Sequence, residues 1–98
     1  RAAPRQVRVF KTATSVEFGD NPVDGQTIME LVAADRPGLL SKVGRAFLTH
    51  EIDIAAAKIM TIGERAEDVF YICRRDGSPL DAETQQRLRE SLVTTLEI

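Results

Sequence analysis

Four residues, Asp35-Arg36-Pro37-Gly38, divide two apolar stretches of different period, and that change requires a tight turn between two kinds of element. Before them, Gln26 to Ala34 carries Ile28, Met29, Leu31, Val32 and Ala33, apolar on both parities with Glu30 the exception, which reads as a strand. After them, Leu39, Leu40, Val43, Ala46 and Phe47 recur at helical spacing, with Lys42, Arg45 and His50 left for the wet side. Pro37 is acceptable in a first helical turn, where its missing donor costs nothing. A strand therefore feeds a helix through a tight turn.

The rest of the chain extends that unit. Ile52 to Thr61 reads as a second strand, and its Ala55-Ala56-Ala57 centre permits close approach on at least one face. Ile62-Gly63-Glu64-Arg65 is the tip of a hairpin leading to a third strand at Val69 to Cys73. That strand is apolar on both parities, so both of its faces are expected to be covered. Asp76-Gly77-Ser78-Pro79 makes a turn, and Asp81 is placed to cap a last helix with Leu88, Leu92, Val93 and Leu96 on its apolar side.

From Gln26 onward the order is strand, helix, strand, strand, helix. This is an α+β, ferredoxin-like arrangement, an antiparallel sheet with two helices on one face, lacking its last strand. The first strand would then keep an unpaired edge. Two short alternating pieces lie upstream, Val7 to Phe10 and Ser15 to Phe18, followed by the turn formers Gly19-Asp20-Asn21-Pro22 and Asp24-Gly25. Ser15 to Phe18 is expected to fold back through Gly19–Gly25 and pair with Gln26–Ala34. The chain divides accordingly into an arm, 1–25, and a domain, 26–98.

Composition removes several classes of function. Thirteen basic residues stand against 15 acidic ones, a net charge of −2, so there is no electrostatic footprint for nucleic acid or an anionic membrane. No apolar run approaches the roughly 20 residues of a membrane span, and no signal peptide is visible. The single cysteine, Cys73, excludes an internal disulfide and a cysteine-built zinc site. Beside Phe70, Tyr71 and Ile72 it reads as a buried strand residue. A free thiol fits a reducing compartment, and the expected location is the cytoplasm. The chain starts at Arg1 rather than methionine, which is expected of a piece of something longer.

One motif carries chemistry. At Asp35-Arg36-Pro37-Gly38-Leu39-Leu40 the start of the helix leaves backbone N–H groups without internal partners and puts the positive end of the dipole beside them, a setting for a carboxylate. Gly38 has no Cβ, so a ligand can come up to the main chain. Asp35 can cap the helix or bind the ammonium of an amino acid. The residues alone leave two readings open: a site for a zwitterion, or a turn in which Asp35 only caps, Gly38 only turns and Leu39 and Leu40 only pack.

Other constellations are weaker. His50 is the only histidine and falls at a helix end. Glu64, Glu67 and Asp68 fit no calcium-loop signature and read as a solvated rim. An acylphosphatase-like enzyme would need a phosphate-cradling loop; Arg36 is the only candidate arginine, and the extra glycines are missing. No catalytic set and no metal site emerge.

The residues Val32 to Leu40, followed by Val43-Gly44-Arg45-Ala46-Phe47, resemble the ACT domain, a ferredoxin-like ligand-binding fold, and Ile52-Asp53-Ile54 and Ala57-Lys58-Ile59 continue the likeness. Thr61 to Phe70, with Pro4 to Phe10 and Val16-Glu17-Phe18 ahead of the domain, is similar to the C-terminal ACT domain of the bifunctional uridylyltransferase/uridylyl-removing enzyme family. That resemblance implies a parent that adds and removes uridylyl groups on PII protein and whose ACT pair senses glutamine. The parent's nucleotidyltransferase and phosphohydrolase domains lie upstream of such a domain, so no catalytic residue and no cofactor are expected here. The family usually holds an amino acid between two ACT copies, in tandem or as a homodimer. The implied site is Asp35, Arg36, Gly38, Leu39 and Leu40 on one copy, with Asp53 and Ile54 on the facing strand. Asp53 stands where many relatives have asparagine, and Glu51 where many have the glycine that ends the first helix. The expectation is a regulatory, glutamine-sensing module; its rival is a dimerisation module that binds no ligand.

Overall fold

The computed structural model describes residues 12–21 and 25–97. Its elements are β1 (Ser15–Asn21), β2 (Gln26–Ala34), α1 (Leu39–Thr49), β3 (Ile52–Lys58), β4 (Thr61–Ile62), β5 (Arg65–Arg74) and α2 (Ala82–Leu96). The strands form one antiparallel sheet in the order β1-β2-β5-β3, with β4 also on β5. The strand expected at Val7–Phe10 lies outside the described residues.

Alternation decides which residues meet. In β2 the odd positions Thr27, Met29, Leu31 and Ala33 are buried, and in β5 the even positions Ala66, Asp68, Phe70 and Ile72. The register places these rows opposite one another, Met29 across from Phe70 and Leu31 across from Asp68. Both rows meet Leu39, Val43, Ala46 and Phe47 of α1 and Leu88, Leu92 and Leu96 of α2 in one core. Phe47 meets Phe70 edge-on, with ring centroids 5.3 Å apart. Both helices therefore cover the same face of the sheet, giving the ferredoxin-like α+β arrangement.

The other face differs from expectation. Val69, Tyr71 and Cys73 are only half-buried, because the odd positions of β5 point away from both helices. Their apolarity does not mean that this chain covers them, and Cys73 is not the core residue its neighbours suggest.

The missing last strand is replaced from the N-terminal side. β1 pairs with β2 from Ser15↔Val32 to Asn21↔Gln26, running three residues beyond the expected Phe18. Val16 is buried in the core and Phe18 packs on it. From α2, Arg89 reaches back to this strand, donating from Nε to the Val16 carbonyl at 2.9 Å.

The second strand is also not continuous. β3 has a bulge at Ala55, where the register against β5 shifts, and ends at Lys58. After Ile59-Met60 the same edge resumes as the two-residue β4, paired with Arg65 and Ala66. At the helix ends, Glu51 takes the left-handed conformation with φ 59°, and Asp81 caps α2 by accepting the Thr84 N–H at 2.8 Å. Among the described residues no helix is long and apolar enough to cross a membrane.

Candidate functional site

The turn from β2 to α1 is held from two sides. The Asp35 N–H donates to the Glu64 carbonyl at 2.9 Å, tying the turn to the β4–β5 hairpin. The Leu39 N–H closes onto the Arg36 carbonyl at 3.1 Å. Gly38 is the N-cap of α1 at φ 83°, a left-handed conformation that an L side chain would strain.

No side chain caps this helix, which corrects the first role considered for Asp35. With Gly38 as N-cap, Asp35 lies outside the helix, and its exposed carboxylate is left for other work. The Leu40 and Ser41 N–H groups have no hydrogen-bond acceptor among the described residues. They are the free donors that a helix start leaves.

These donors open onto a cavity of about 260 Å³. One wall is Asp35, Arg36, Gly38, Leu39, Leu40 and Ser41; the other is Ile59, Met60 and Thr61 at the break between β3 and β4, with Ala66 and Asp68 from β5. The structure thus brings together Asp35, Arg36, Gly38, Leu39 and Leu40. It does not bring Asp53 or Ile54 to them. Those residues lie at the opposite end of β3, both exposed, with the Asp53 carboxylate 3.8 Å from Arg75.

The residue that sequence reasoning misplaced is Asp68. It is not part of a solvated rim; it is 1% exposed. Its Oδ1 accepts the Met60 N–H at 3.1 Å, while Oδ2 has no hydrogen-bond partner among the described residues. Burial pushes its pKa above the ordinary 3.8; the Met60 hydrogen bond works the other way, and the negative charge of Asp35 adds to the rise. A signal for this was present in the spacing, since Asp68 shares its parity with Ala66, Phe70 and Ile72.

A second depression, between His50, Arg74, Arg75 and Arg87, looks basic, but its arginines are engaged: Arg74 with Asp81, Arg75 with Asp53 and Arg87 with Glu83. The first cavity has no histidine on its walls. Backbone donors at the helix start and the Asp35 and Asp68 carboxylates around the same cavity suit it to holding a ligand with both signs of charge rather than to making or breaking bonds.

The fold is ferredoxin-like α+β with an open strand-to-helix turn, and residues 27–90 match the ACT domain family. The chain belongs to that family. Along nearly its whole length it is similar to proteins named bifunctional uridylyltransferase/uridylyl-removing enzyme. It is 50% identical to that of Methylococcus capsulatus over 94 residues, which is 95% of this chain and 11% of the relative. The Photobacterium profundum protein is 45% identical over 96 residues, 98% of this chain and 11% of the relative. The Vibrio cholerae protein is 46% identical over 93 residues, 95% of this chain and 11% of the relative. The chain therefore spans about a tenth of the length of the curated relatives it matches.

Proposed function

We propose that this chain is an amino-acid-sensing regulatory domain, with glutamine the leading ligand, serving a uridylyltransferase/uridylyl-removing enzyme that acts on PII protein in the cytoplasm. The observation that carries the reading is the cavity at the start of α1, whose lining brings together Leu40 and Ser41, with N–H groups that have no acceptor among the described residues, and the carboxyl-bearing Asp35 and Asp68. A free amino acid presents a carboxylate and an ammonium at one carbon, and this cavity offers a counterpart to each. Membership of the ACT family and the similarity to named uridylyltransferases support the regulatory role.

A second ACT copy, in tandem or as a homodimer, completes the reading. The outer edge of β3 and β4 is apolar and exposed at Ile54, Ile59, Met60 and Ile62, each about half exposed. A strand edge of this kind pairs with another strand. Asp53 and Ile54 would then face the partner's cavity rather than their own. Bound ligand would favour one arrangement of the pair and so bias the attached catalytic domains; such couplings are typically about 1–3 kcal/mol.

A thermal-shift panel of the common amino acids, followed by calorimetry with glutamine, tests this. Ligand at about one hundred times its Kd should stabilise the chain by about 2.7 kcal/mol. Self-association through the β3 edge with no response to any amino acid would favour the rival, a ligand-free dimerisation module. Gly38→Val would leave association intact in that case.

A further inference from the structure

We infer that Asp68 receives the ammonium group of the bound amino acid, and so fixes which way round the ligand lies, with its carboxylate on the Leu40 and Ser41 N–H groups. This rests on the amino-acid-binding reading above. Four observations converge on it. Asp68 lines the same cavity as the opening turn of α1. It is 1% exposed, so bulk water reaches little of its carboxylate. Its Oδ2 has no hydrogen-bond partner among the described residues, whereas Oδ1 is occupied by Met60. Lastly, its cross-strand neighbour is the apolar Leu31, which offers it no donor.

A buried acceptor left open is a place where a donor is missing, and for a carboxylate the donor that gains most is a cationic one. Asp35 contributes negative charge from the opposite wall, which raises the preference for a cation between the two. The dipole of α1 works in the same sense, since it repels an ammonium from the helix start and attracts the carboxylate there. The carboxylate is thereby drawn to the helix start and the ammonium to Asp68. Because the Asp68 carboxylate also holds the Met60 N–H, its occupant is one residue from the break in the edge strand.

The test is Asp68→Asn in this chain, titrated calorimetrically with glutamine and with glutaramate, which is glutamine without its α-amino group. Asparagine keeps an oxygen for the Met60 N–H and replaces Oδ2 by an amide N–H₂, which opposes an ammonium. The expected result is that glutamine binds Asp68→Asn between about tenfold and a hundredfold more weakly than the parent chain. Glutaramate should bind neither protein detectably, and Asp35→Asn, whose carboxylate stays hydrated, should lose no more than a few-fold. Undiminished glutamine binding by Asp68→Asn overturns the assignment to Asp68 while leaving the amino-acid reading intact. Failure of every amino acid on the parent chain overturns both. Should Asp68→Asn lose its cooperative melt, the parent chain still decides: the Asp68 carboxyl ¹³C resonance must shift on saturation with glutamine, and a resonance that stays in place overturns the assignment.

Discussion

The guanidinium of Arg89 lies over the ring of Phe18, 5.2 Å from its centroid, so that α2 grips a strand from outside the matched family region. The same side chain donates to the Val16 carbonyl. Arg89→Ala removes both contacts, and the expected loss is about 1–2 kcal/mol. Hydrogen exchange is the informative readout: the amides of Val16 and Phe18 should lose protection while those of β5 keep theirs.

Thr27 is fully buried, and its Oγ1 accepts the Leu80 N–H at 2.9 Å, fixing the loop before α2 against β2. Thr27→Val keeps the shape and leaves that N–H without an acceptor, at an expected cost of about 1–3 kcal/mol. Thr27→Ser restores the acceptor and should recover a large part of the loss in urea denaturation.

Two left-handed positions flank α1 and predict opposite outcomes. Glu51 holds φ 59° with a side chain, so Glu51→Gly should stabilise the chain by up to about 1 kcal/mol. Gly38 holds φ 83° without one, and an added Cβ meets no atom within 4 Å. Gly38→Ala should therefore cost about 1–2 kcal/mol from backbone strain alone. Denaturation midpoints of both variants check the pair.

Acid titration separates two aspartates by sign. Asp68 has its pKa raised above 3.8, so folding makes its proton harder to lose. Its contribution to stability is fully present below that ordinary value and is lost as pH rises through the raised one. Asp35, which faces it, and Arg36, which lines the same cavity, are the charged groups to hold constant. Asp68→Asn should gain on the parent chain at neutral pH, and the gap should close on acidification. Asp81 is held below 3.8 by its Thr84 hydrogen bonds, so its contribution is present above that value and fades as pH falls through the lowered one. Asp81→Asn should lose at neutral pH and converge with the parent in acid. Urea midpoints from pH 3 to 7 distinguish the two patterns.

Local signals carried most of the fold. Helical spacing marked α1 and α2, the turn residues marked their ends, and the unpaired edge of β2 foretold the pairing with β1. Less was legible where a contact between distant elements decides the outcome. The break at Ile59-Met60 depends on the Met60 N–H turning inward to Asp68, which no local preference of those residues records. Asp68 itself was hidden by company, since Glu64 and Glu67 beside it suggested a wet rim while its parity said otherwise. The exposed face of β5 was misread because apolar residues on both parities show what a strand tolerates, not which neighbour supplies the cover. At the candidate site the turn was legible as a unit, while the wall opposite it was not.

The bulge at Ala55 and the stop at Lys58 have a consequence for how copies of this chain can add to one another. An uninterrupted rim of backbone would accept a neighbour in several offsets and invite growth without end. Here the rim is kinked at Ala55 and interrupted after Lys58, so a newcomer finds few ways to align. Such an edge disfavours fibre-like stacking.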